Sequence, residues 1–394
     1  MTPELSSDSQ DVTEPARRAD TTRTRCGTRT AVACLDDRAV RAVSPIPAAG
    51  RRRGLTRLGV AAVFLAAATA LTGCGGLPAG AAHTMPSDGQ YSLLQEPQAT
   101  YAPITALIER AAKSVRMTMY LLADPAIEQA LVDAHRQRGV ATTVVLDRAF
   151  HGQRANQRAY DALRAAGVNV TWAPAGTIVH EKAVVIDDKT AVVSTGNLDA
   201  HYYATARDAA VVTTVPAQVA AIAATIDADY AQATAGQLSR AVDAAGLVWS
   251  PAGRAVFVRA VSDARRSVDI TTEEFKDRAV AAAVSQAARR GVVCRIVLNA
   301  DAAATAAVSD VEHAGCAVHT LATKPGGLYL HEKALVTDGF SVLIGSHNMS
   351  TMSLTENREL SLHVDAGDAP NVVAAVRAQF DADFAAAPPA TAAP

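Results

Sequence analysis

Hydrophobic positions in the first half of the folded region switch between two periodicities. Some segments carry apolar residues at helical spacing, whereas others are short runs rich in Val, Leu and Thr of the kind found in buried strands. We predict helices at 104–112, 127–138 and 160–166, and strands at 115–122, 140–146 and 168–172. Helices alternating with strands are typical of layered α/β folds.

The second half of the chain repeats this pattern at a distance of about 151 residues. We predict helices at 255–264, 279–290 and 302–314, and strands at 268–272, 292–298 and 316–321. A single repeat of this length indicates a duplicated domain rather than a solenoid. The expected fold is α/β, with two similar lobes at 91–243 and 244–385, each a mostly parallel or mixed sheet flanked by helices, and a disordered tail at 386–394.

Polar residues follow the same repeat. From one histidine in each half, a lysine lies at +2, an aspartate at +7, an asparagine at +17 and an acidic residue at +28. The two sets are His180, Lys182, Asp187, Asn197 and Asp208, and His331, Lys333, Asp338, Asn348 and Glu359. Five matched offsets are hard to produce by chance.

Strand geometry gives these offsets a meaning. Residues i and i+2 share one face of a strand, so each His and Lys project together, whereas Glu181 and Glu332 point the other way. Two further strands, at 191–194 and 341–344, would return the chain as a hairpin. Asn and the preceding hydroxyl, Thr195 or Ser346, would then lie beside the His–Lys pair.

Cleavage of a phosphodiester needs these groups. Lysine, asparagine and Ser/Thr donors can stabilise charge on the phosphoryl oxygens without a metal or cofactor. One imidazole can attack phosphorus and a second can protonate the leaving alkoxide. Asp208 and Glu359 are the candidates for fixing the tautomer of each imidazole.

The doubled pattern resembles the motif of the phospholipase D superfamily, HxK, four residues, D, six residues, GSxN. The second half matches throughout, including Gly345 and Ser346. The first half has Ser194-Thr195 in place of Gly-Ser, and we expect the missing glycine to tighten the turn and weaken this half-site.

The resemblance implies two half-sites that meet across a pseudo-two-fold axis and act without metal. It makes His180 the nucleophile and His331 the general acid, although the residues alone leave that assignment open. Asp187 and Asp338 are either structural or partners of the opposite lobe. A second lobe in the same chain makes a dimer unnecessary, so we expect a monomer.

The N-terminal region predicts export. A basic stretch precedes an apolar run at 58–71 that is too short to span a bilayer but suits a signal peptide. It ends in Leu-Thr-Gly-Cys, so we interpret 43–74 as a lipoprotein signal peptide with Cys74 as the lipidated residue. Residues 1–42 are then a disordered leader or lie upstream of the true translation start, and 75–90 form a flexible tether.

Two cysteines remain in the folded region, Cys294 and Cys316. Export would permit a disulfide, but both lie in apolar strand-like runs, and we interpret them as buried thiols. The spacing of Cys and His indicates no metal site.

Charge bears on the substrate. Residues 1–73 hold 11 of the 37 Lys and Arg and 7 of the 39 Asp and Glu, which leaves 26 basic and 32 acidic residues and a net charge of −6. Nucleic-acid binding usually needs a basic surface. We therefore expect an extracytoplasmic, membrane-anchored phosphodiesterase that hydrolyses phospholipid head groups. The alternatives are a nuclease, a cardiolipin-synthase-like transferase and a catalytically weak lipid- or phosphate-binding lipoprotein.

Overall fold

The computed structural model describes residues 85–149, 152–202, 204–324 and 326–390. The expected leader, the signal peptide with Cys74 and the tether up to residue 84 lie outside these ranges. Within them, no helix combines the length and apolar character needed to cross a bilayer. Within the segment expected as a tether, Ser87–Asp88 form the first strand of the first sheet.

The described strands of lobe 1 are β1 (Ser87–Asp88), β2 (Tyr91–Gln95), β3 (Ser114–Met119), β4 (Leu122–Ala123), β5 (Ala141–Leu146), β6 (Asn169–Trp172), β7 (Lys182–Ile186), β8 (Thr190–Ser194), β9 (Leu198–Asp199), β10 (Ala206–Arg207) and β11 (Ala209–Thr213). Eight of them form one sheet with the order β1-β2-β11-β8-β7-β3-β5-β6, and β4, β9 and β10 lie outside it. Its helices are α1 (Ala102–Glu109), α2 (Pro125–Arg138), α3 (Gly152–Ala165) and α4 (Pro216–Ala233).

Lobe 2 repeats the plan, and its described strands are β12 (Leu247–Trp249), β13 (Ser267–Thr271), β14 (Val293–Asn299), β15 (Ala317–Leu321), β16 (Tyr329–Leu330), β17 (Ala334–Thr337), β18 (Ser341–Gly345) and β19 (Leu360–Asp365). Seven of them form one sheet with the order β12-β19-β18-β17-β13-β14-β15, and β16 lies outside it. Its helices are α5 (Gly253–Asp263), α6 (Arg278–Arg289), α7 (Ala306–His313), α8 (Thr351–Thr355) and α9 (Pro370–Ala386).

The predicted class, two similar α/β lobes, is confirmed, and both large sheets are mixed rather than mostly parallel. Within the two large sheets as described, β3, β5 and β6 pair in parallel, as do β13, β14 and β15. The remaining neighbours are antiparallel. The hairpins β7–β8 and β17–β18, which follow the His–Lys pairs, account for part of this antiparallel pairing.

Three large cores, and a small fourth around Phe380, lie within the described residues. One lies between the first sheet and α1–α3, and another between the second sheet and α5–α7. The third lies between the two sheets and includes α4 and α9, which the sequence patterns did not predict. Burial on both faces explains why β7 and β17 lack a polar–apolar alternation.

The cysteine interpretation was wrong. Cys294 and Cys316 are buried, as expected, but their sulfurs form a disulfide. Cys294 lies on β14 and Cys316 directly precedes β15, its parallel neighbour in the sheet, so their Cα atoms are only 4.7 Å apart. The sequence showed two apolar runs but not that these runs are adjacent.

Asp187 and Asp338 are structural, and their alternative role as partners of the opposite lobe is wrong. Each has a positive φ, 54° and 56°. Each carboxylate accepts three consecutive backbone N–H groups of its own lobe, those of 112–114 and 265–267. Partial burial would raise the pKa of both carboxyls, but these donors outweigh it and lower the pKa.

Candidate active site

The two lobes exchange backbone segments at the site. Strand β10 of lobe 1 pairs in parallel with β16 of lobe 2. The N–H groups of His331 and the next residue both donate to the carbonyl of Arg207, and those of His180 and the next residue both donate to Arg358. Each histidine is therefore held by main chain from the opposite lobe.

The carboxylates are exchanged as well. Nδ1 of His180 lies 2.9 Å and 3.1 Å from the two carboxylate oxygens of Glu359, which belongs to lobe 2. Nδ1 of His331 lies at the same two distances from Asp208, which belongs to lobe 1. The acidic residues at +28 therefore serve the other lobe's histidine, and neither half-site is complete within one lobe.

The pKa of His180 and the pKa of its partner Glu359 are both lowered, for different reasons. Burial lowers the pKa of His180, and the two nearby lysine charges add to this effect, while Glu359 opposes it. Burial alone would raise the pKa of Glu359, but the charge of His180 and its hydrogen bond lower it to about 2. Both shifts are consistent with an anionic Glu359 that accepts Nδ1–H from His180, so that Nε2 of His180 carries a lone pair when the ring is neutral.

Both lysines are almost fully buried. Lys182 and Lys333 are 1% and 2% exposed, and each ammonium donates to the backbone carbonyl of the histidine two residues earlier. Burial lowers the pKa of Lys182 to about 7. Its Nζ also lies 5.1 Å from the centre of the Tyr120 ring, within the range of a cation–π contact.

The strand predicted to run through each histidine is not formed, because β7 begins at Lys182 and β17 begins at Ala334. Glu181 and Glu332 nevertheless do not line the cavity. Both are buried, and burial raises the pKa of each to about 8. The charged group that lowers their pKa most is an arginine of the opposite lobe, Arg358 for Glu181 and Arg207 for Glu332. The repeated glutamate is therefore part of the contact between the lobes.

The asparagines of the two motifs lie at the cavity, whereas the hydroxyl residues of the motifs do not. Asn197 and Asn348 line the cavity together with His180 and His331. Thr195, Ser346, Lys182 and Lys333 are not among the residues that line it. The two hydroxyls are bonded within the protein, so the expectation that they donate to a phosphoryl oxygen was wrong. Thr195 donates to Asp208 at 2.6 Å, and Ser346 bonds to the backbone of Leu360. These hydroxyls fix the acidic residues and their strands.

One cavity of about 850 Å³ contains both histidines. Beside them it is bordered by Tyr120 and Ile178 and by a carboxylate that the motifs did not reveal, Glu273. The Oε2 atom of Glu273 lies 3.4 Å from Nε2 of His331. Its sequence signal was only its place, directly after the predicted strand 268–272. Among the described residues, no group of three His, Cys, Asp or Glu side chains is arranged to hold a metal ion.

Comparison with known proteins agrees with this architecture. A family model described as "Cardiolipin synthase, PLD-like domain" matches residues 104–230 and again 257–384. A search of curated proteins gave no significant match.

Solved structures with a similar fold have different activities in their names. Polyphosphate kinase from Porphyromonas gingivalis has a TM-score of 0.58 and 17% identity. The match covers 75% of this chain and 50% of the kinase. Phosphatidylserine synthase from Haemophilus influenzae Rd KW20 has a TM-score of 0.58 and 14% identity, covering 75% of this chain and 86% of that one. The phospholipase D family member Nuc from Salmonella typhimurium covers 36% of this chain and 95% of its own, at 20% identity and a TM-score of 0.33. At these identities the first two likenesses show a shared fold.

Proposed function

The chain belongs to the phospholipase D superfamily, with two PLD-like domains, and on that premise we propose that it hydrolyses the head-group phosphodiester of a phospholipid. The observation that carries the proposal is the pair of histidines on one cavity, each with Nδ1 held by a carboxylate of the opposite lobe. Holding Nδ1 leaves Nε2 of each ring for chemistry.

His180 is the proposed nucleophile, because its pKa is lowered and a neutral imidazole is required for attack. His331 is the proposed acid, because carboxylate oxygens lie near both of its ring nitrogens, an arrangement in which both nitrogens can donate. Nε2 of His180 attacks phosphorus, the bond to the head-group oxygen breaks, and that oxygen takes the proton from Nε2 of His331. The product is a phosphohistidine and a free alcohol.

The second step reverses the proton transfer. Neutral His331 takes a proton from water, the hydroxide attacks phosphorus, and the bond to His180 breaks. Phosphatidate leaves and His331 is protonated again. Lys182, Lys333 and the two asparagines are the proposed donors to the phosphoryl oxygens in both steps.

A lipid substrate is supported by the cavity and by charge. A volume of about 850 Å³ suits a drug-sized group rather than a duplex. The net charge of −6 after residue 73, and a carboxylate inside the cavity, both disfavour a polyanion. A nuclease and a catalytically weak binding protein are the competing proposals.

Phosphatidyl transfer is a second candidate, favoured by the family model named for cardiolipin synthase. An alcohol would replace water in the second step. The same geometry serves both reactions, since His331 can deprotonate either acceptor.

To test the proposal, the purified protein is incubated separately with labelled phosphatidylcholine, phosphatidylglycerol and plasmid DNA, each in the presence of EDTA. We expect phosphatidate from lipid and intact DNA. Cleavage of DNA alone would replace the lipid proposal with a nuclease, and conversion of phosphatidylglycerol mainly to a diphosphatidyl product would replace hydrolysis with transfer. Cleavage of no substrate would favour the binding protein.

Membrane anchoring through Cys74 is a separate proposal, supported by the sequence alone. Cells fed a labelled fatty acid should label the protein and place it in the membrane fraction. A Cys74→Ala variant should lose both the label and the membrane association, and labelling that survives this change would refute the proposal.

A further inference from the structure

Three groups of the lobe-2 half-site converge on a single oxygen of Glu273. Its Oε2 lies 3.1 Å from Nζ of Lys333, 3.3 Å from Nδ2 of Asn348 and 3.4 Å from Nε2 of His331. Its other oxygen accepts a hydrogen bond from Tyr329 at 2.9 Å. Lysine, asparagine and histidine are the groups proposed to receive a phosphoryl group, so this oxygen stands where a phosphoryl oxygen would bind.

Lobe 1 has no carboxylate at the equivalent place. The sixth residue after the first residue of β13 is Glu273, and the sixth after the first residue of β3 is Tyr120. The Tyr120 ring packs edge-on against His180, with ring centres 4.7 Å apart. Leu121 and Ile178 line the same cavity. The cavity wall beside His180 therefore includes an aromatic ring, and the wall beside His331 includes the carboxylate of Glu273.

The two walls face different parts of a bound diester. A leaving oxygen must lie within hydrogen-bond reach of Nε2 of His331, the nitrogen that protonates it. Glu273 lies 3.4 Å from that same nitrogen, so the alcohol side of the substrate passes the carboxylate. The other side, bonded through phosphorus to His180, lies toward Tyr120.

Binding of the diester also changes the partners of Glu273. The phosphoryl oxygens take over Lys333 and Asn348, and the displaced carboxylate keeps its negative charge near the negative phosphate. An alcohol with a positively charged amine would offset this repulsion and pair with the carboxylate. An uncharged alcohol would leave it unpaired.

We propose that Glu273 is a specificity-determining residue that selects phosphodiesters whose leaving alcohol carries a positively charged amine. The proposal rests on the proposed function, since it assumes that His331 protonates the leaving group. It adds a charge criterion for the head group that the HxK motifs do not contain.

The test compares Glu273→Gln with a matched control, Glu274→Gln. Glu274 borders the same cavity, but its carboxylate is paired with Lys276 at 2.7 Å. The substrates are monomeric short-chain phosphatidylcholine and phosphatidylglycerol, which avoid effects of vesicle charge. The ratio of their kcat/KM values should fall about tenfold in Glu273→Gln, as expected for the loss of one close charge pair, and stay within about twofold in the control.

Inorganic phosphate provides a second readout that needs no head group. It should inhibit Glu273→Gln more strongly than wild type, because an uncharged amide competes less for Lys333. Stronger inhibition together with an unchanged substrate ratio would make Glu273 only a competitor of phosphate and overturn the specificity role.

The remaining outcomes separate the two proposals. Equal loss of the ratio in both variants would also overturn the specificity role, because general cavity charge would then explain it. Wild-type protein that cleaves both lipids, with a ratio unchanged by Glu273→Gln and no change in phosphate inhibition, refutes the inference alone. Wild-type protein that cleaves no diester refutes the proposed function and the inference with it.

Discussion

The turns that carry the two asparagines differ in where their glycine lies. Lobe 2 has its glycine at Gly345, where an added Cβ would lie 2.4 Å from the backbone oxygen of Leu360. Lobe 1 has a serine at that point and places its glycine two residues later, at Gly196, where a Cβ would lie 2.5 Å from the Asp208 carboxyl group. The glycine of the first motif is therefore relocated, and each position reflects a close approach of a neighbouring group.

The acidic residues explain the relocation. Asp208 has one methylene fewer than Glu359, and the absence of a side chain at Gly196 lets its carboxyl group come close to the turn. In lobe 2 the equivalent space holds His347, which is buried, bonds to two serines and has its pKa lowered to about 4 by burial. His347 does not line the cavity. The weaker first half-site stays a prediction, and Nδ1 of His180 lies as close to its carboxylate, at 2.9 Å, as Nδ1 of His331 does.

The sharpest test of the difference between the half-sites exchanges each histidine for alanine. His180→Ala removes the proposed nucleophile and should lower kcat by about 10⁴-fold or more on every substrate. His331→Ala removes the acid and should lower kcat by about 10²- to 10⁴-fold on a lipid. With an aryl phosphodiester, whose leaving group needs no proton, His331→Ala should retain most of its first turnover and accumulate a phosphohistidine. Rapid-quench kinetics and phosphopeptide mapping would show this.

The matched control is His363→Ala, a half-exposed histidine of lobe 2 outside the cavity, which should keep full activity. A phosphohistidine found on His331 would reverse the two roles. An active His331→Ala enzyme on lipid would remove the paired mechanism altogether.

The exchanged carboxylates give the next largest effect. Glu359→Gln and Asp208→Asn should each lower kcat/KM by about 10- to 100-fold, as is usual when the group that orients a functional histidine is lost. They should differ in pH dependence. The nucleophile works in its neutral form, so the acidic limb of kcat/KM should lie below the ordinary histidine pKa of 6.5.

Glu359 raises the pKa of His180, so its removal makes protonation harder and should move the acidic limb to lower pH. Asp208→Asn should leave that limb in place. A pH profile of kcat/KM for both variants checks this, and equal shifts would contradict the pairing across lobes.

The sequence predicted the residues of the site better than their connections. Offsets of 2, 7, 17 and 28 residues identified His180, Lys182 and the acidic residues, because strand alternation and hairpin return are local rules. No local rule shows that Asp208 serves His331 rather than His180. That exchange depends on β10 crossing to pair with β16, a contact between segments more than a hundred residues apart.

Glu273 was missed for a related reason. It belongs to no motif, and its importance comes from the register between β13 and β17 and from side chains that arrive from elsewhere in lobe 2. The helices α4 and α9 were missed because alanine occupies much of their exposed face as well as part of their buried face, so their sequences lack a clear alternation of polar and apolar positions. The disulfide was missed because strand adjacency in a parallel sheet cannot be read from spacing alone.

A smaller effect should follow from the relocated glycine. Gly345→Ala adds a Cβ against the backbone of β19 and should lower the free energy of unfolding by about 1–3 kcal/mol. Ser194→Ala keeps its Cβ and loses only the hydroxyl contacts with Gly196, and should cost about 0.5–1 kcal/mol. Urea unfolding of both variants measures the difference. A loss for Gly345→Ala no larger than that for Ser194→Ala would contradict the close contact inferred at Gly345.

The smallest effect is expected where the lobes are most alike. Asp187→Asn and Asp338→Asn keep a side chain that tolerates positive φ and remove one carboxylate that accepts three N–H groups. Each should lower the free energy of unfolding by about 1 kcal/mol at neutral pH, with equal values in the two lobes.

The pKa of each carboxyl is lowered by folding. Its contribution to stability is therefore present above the unfolded pKa and is lost as pH falls through the folded one. The gap between wild type and each variant should therefore shrink below about pH 4, where the unfolded carboxyl titrates. Urea unfolding from pH 7 to pH 3 measures it, and a gap that differs between lobes, or grows in acid, would show that the two aspartates do not have one shared structural role.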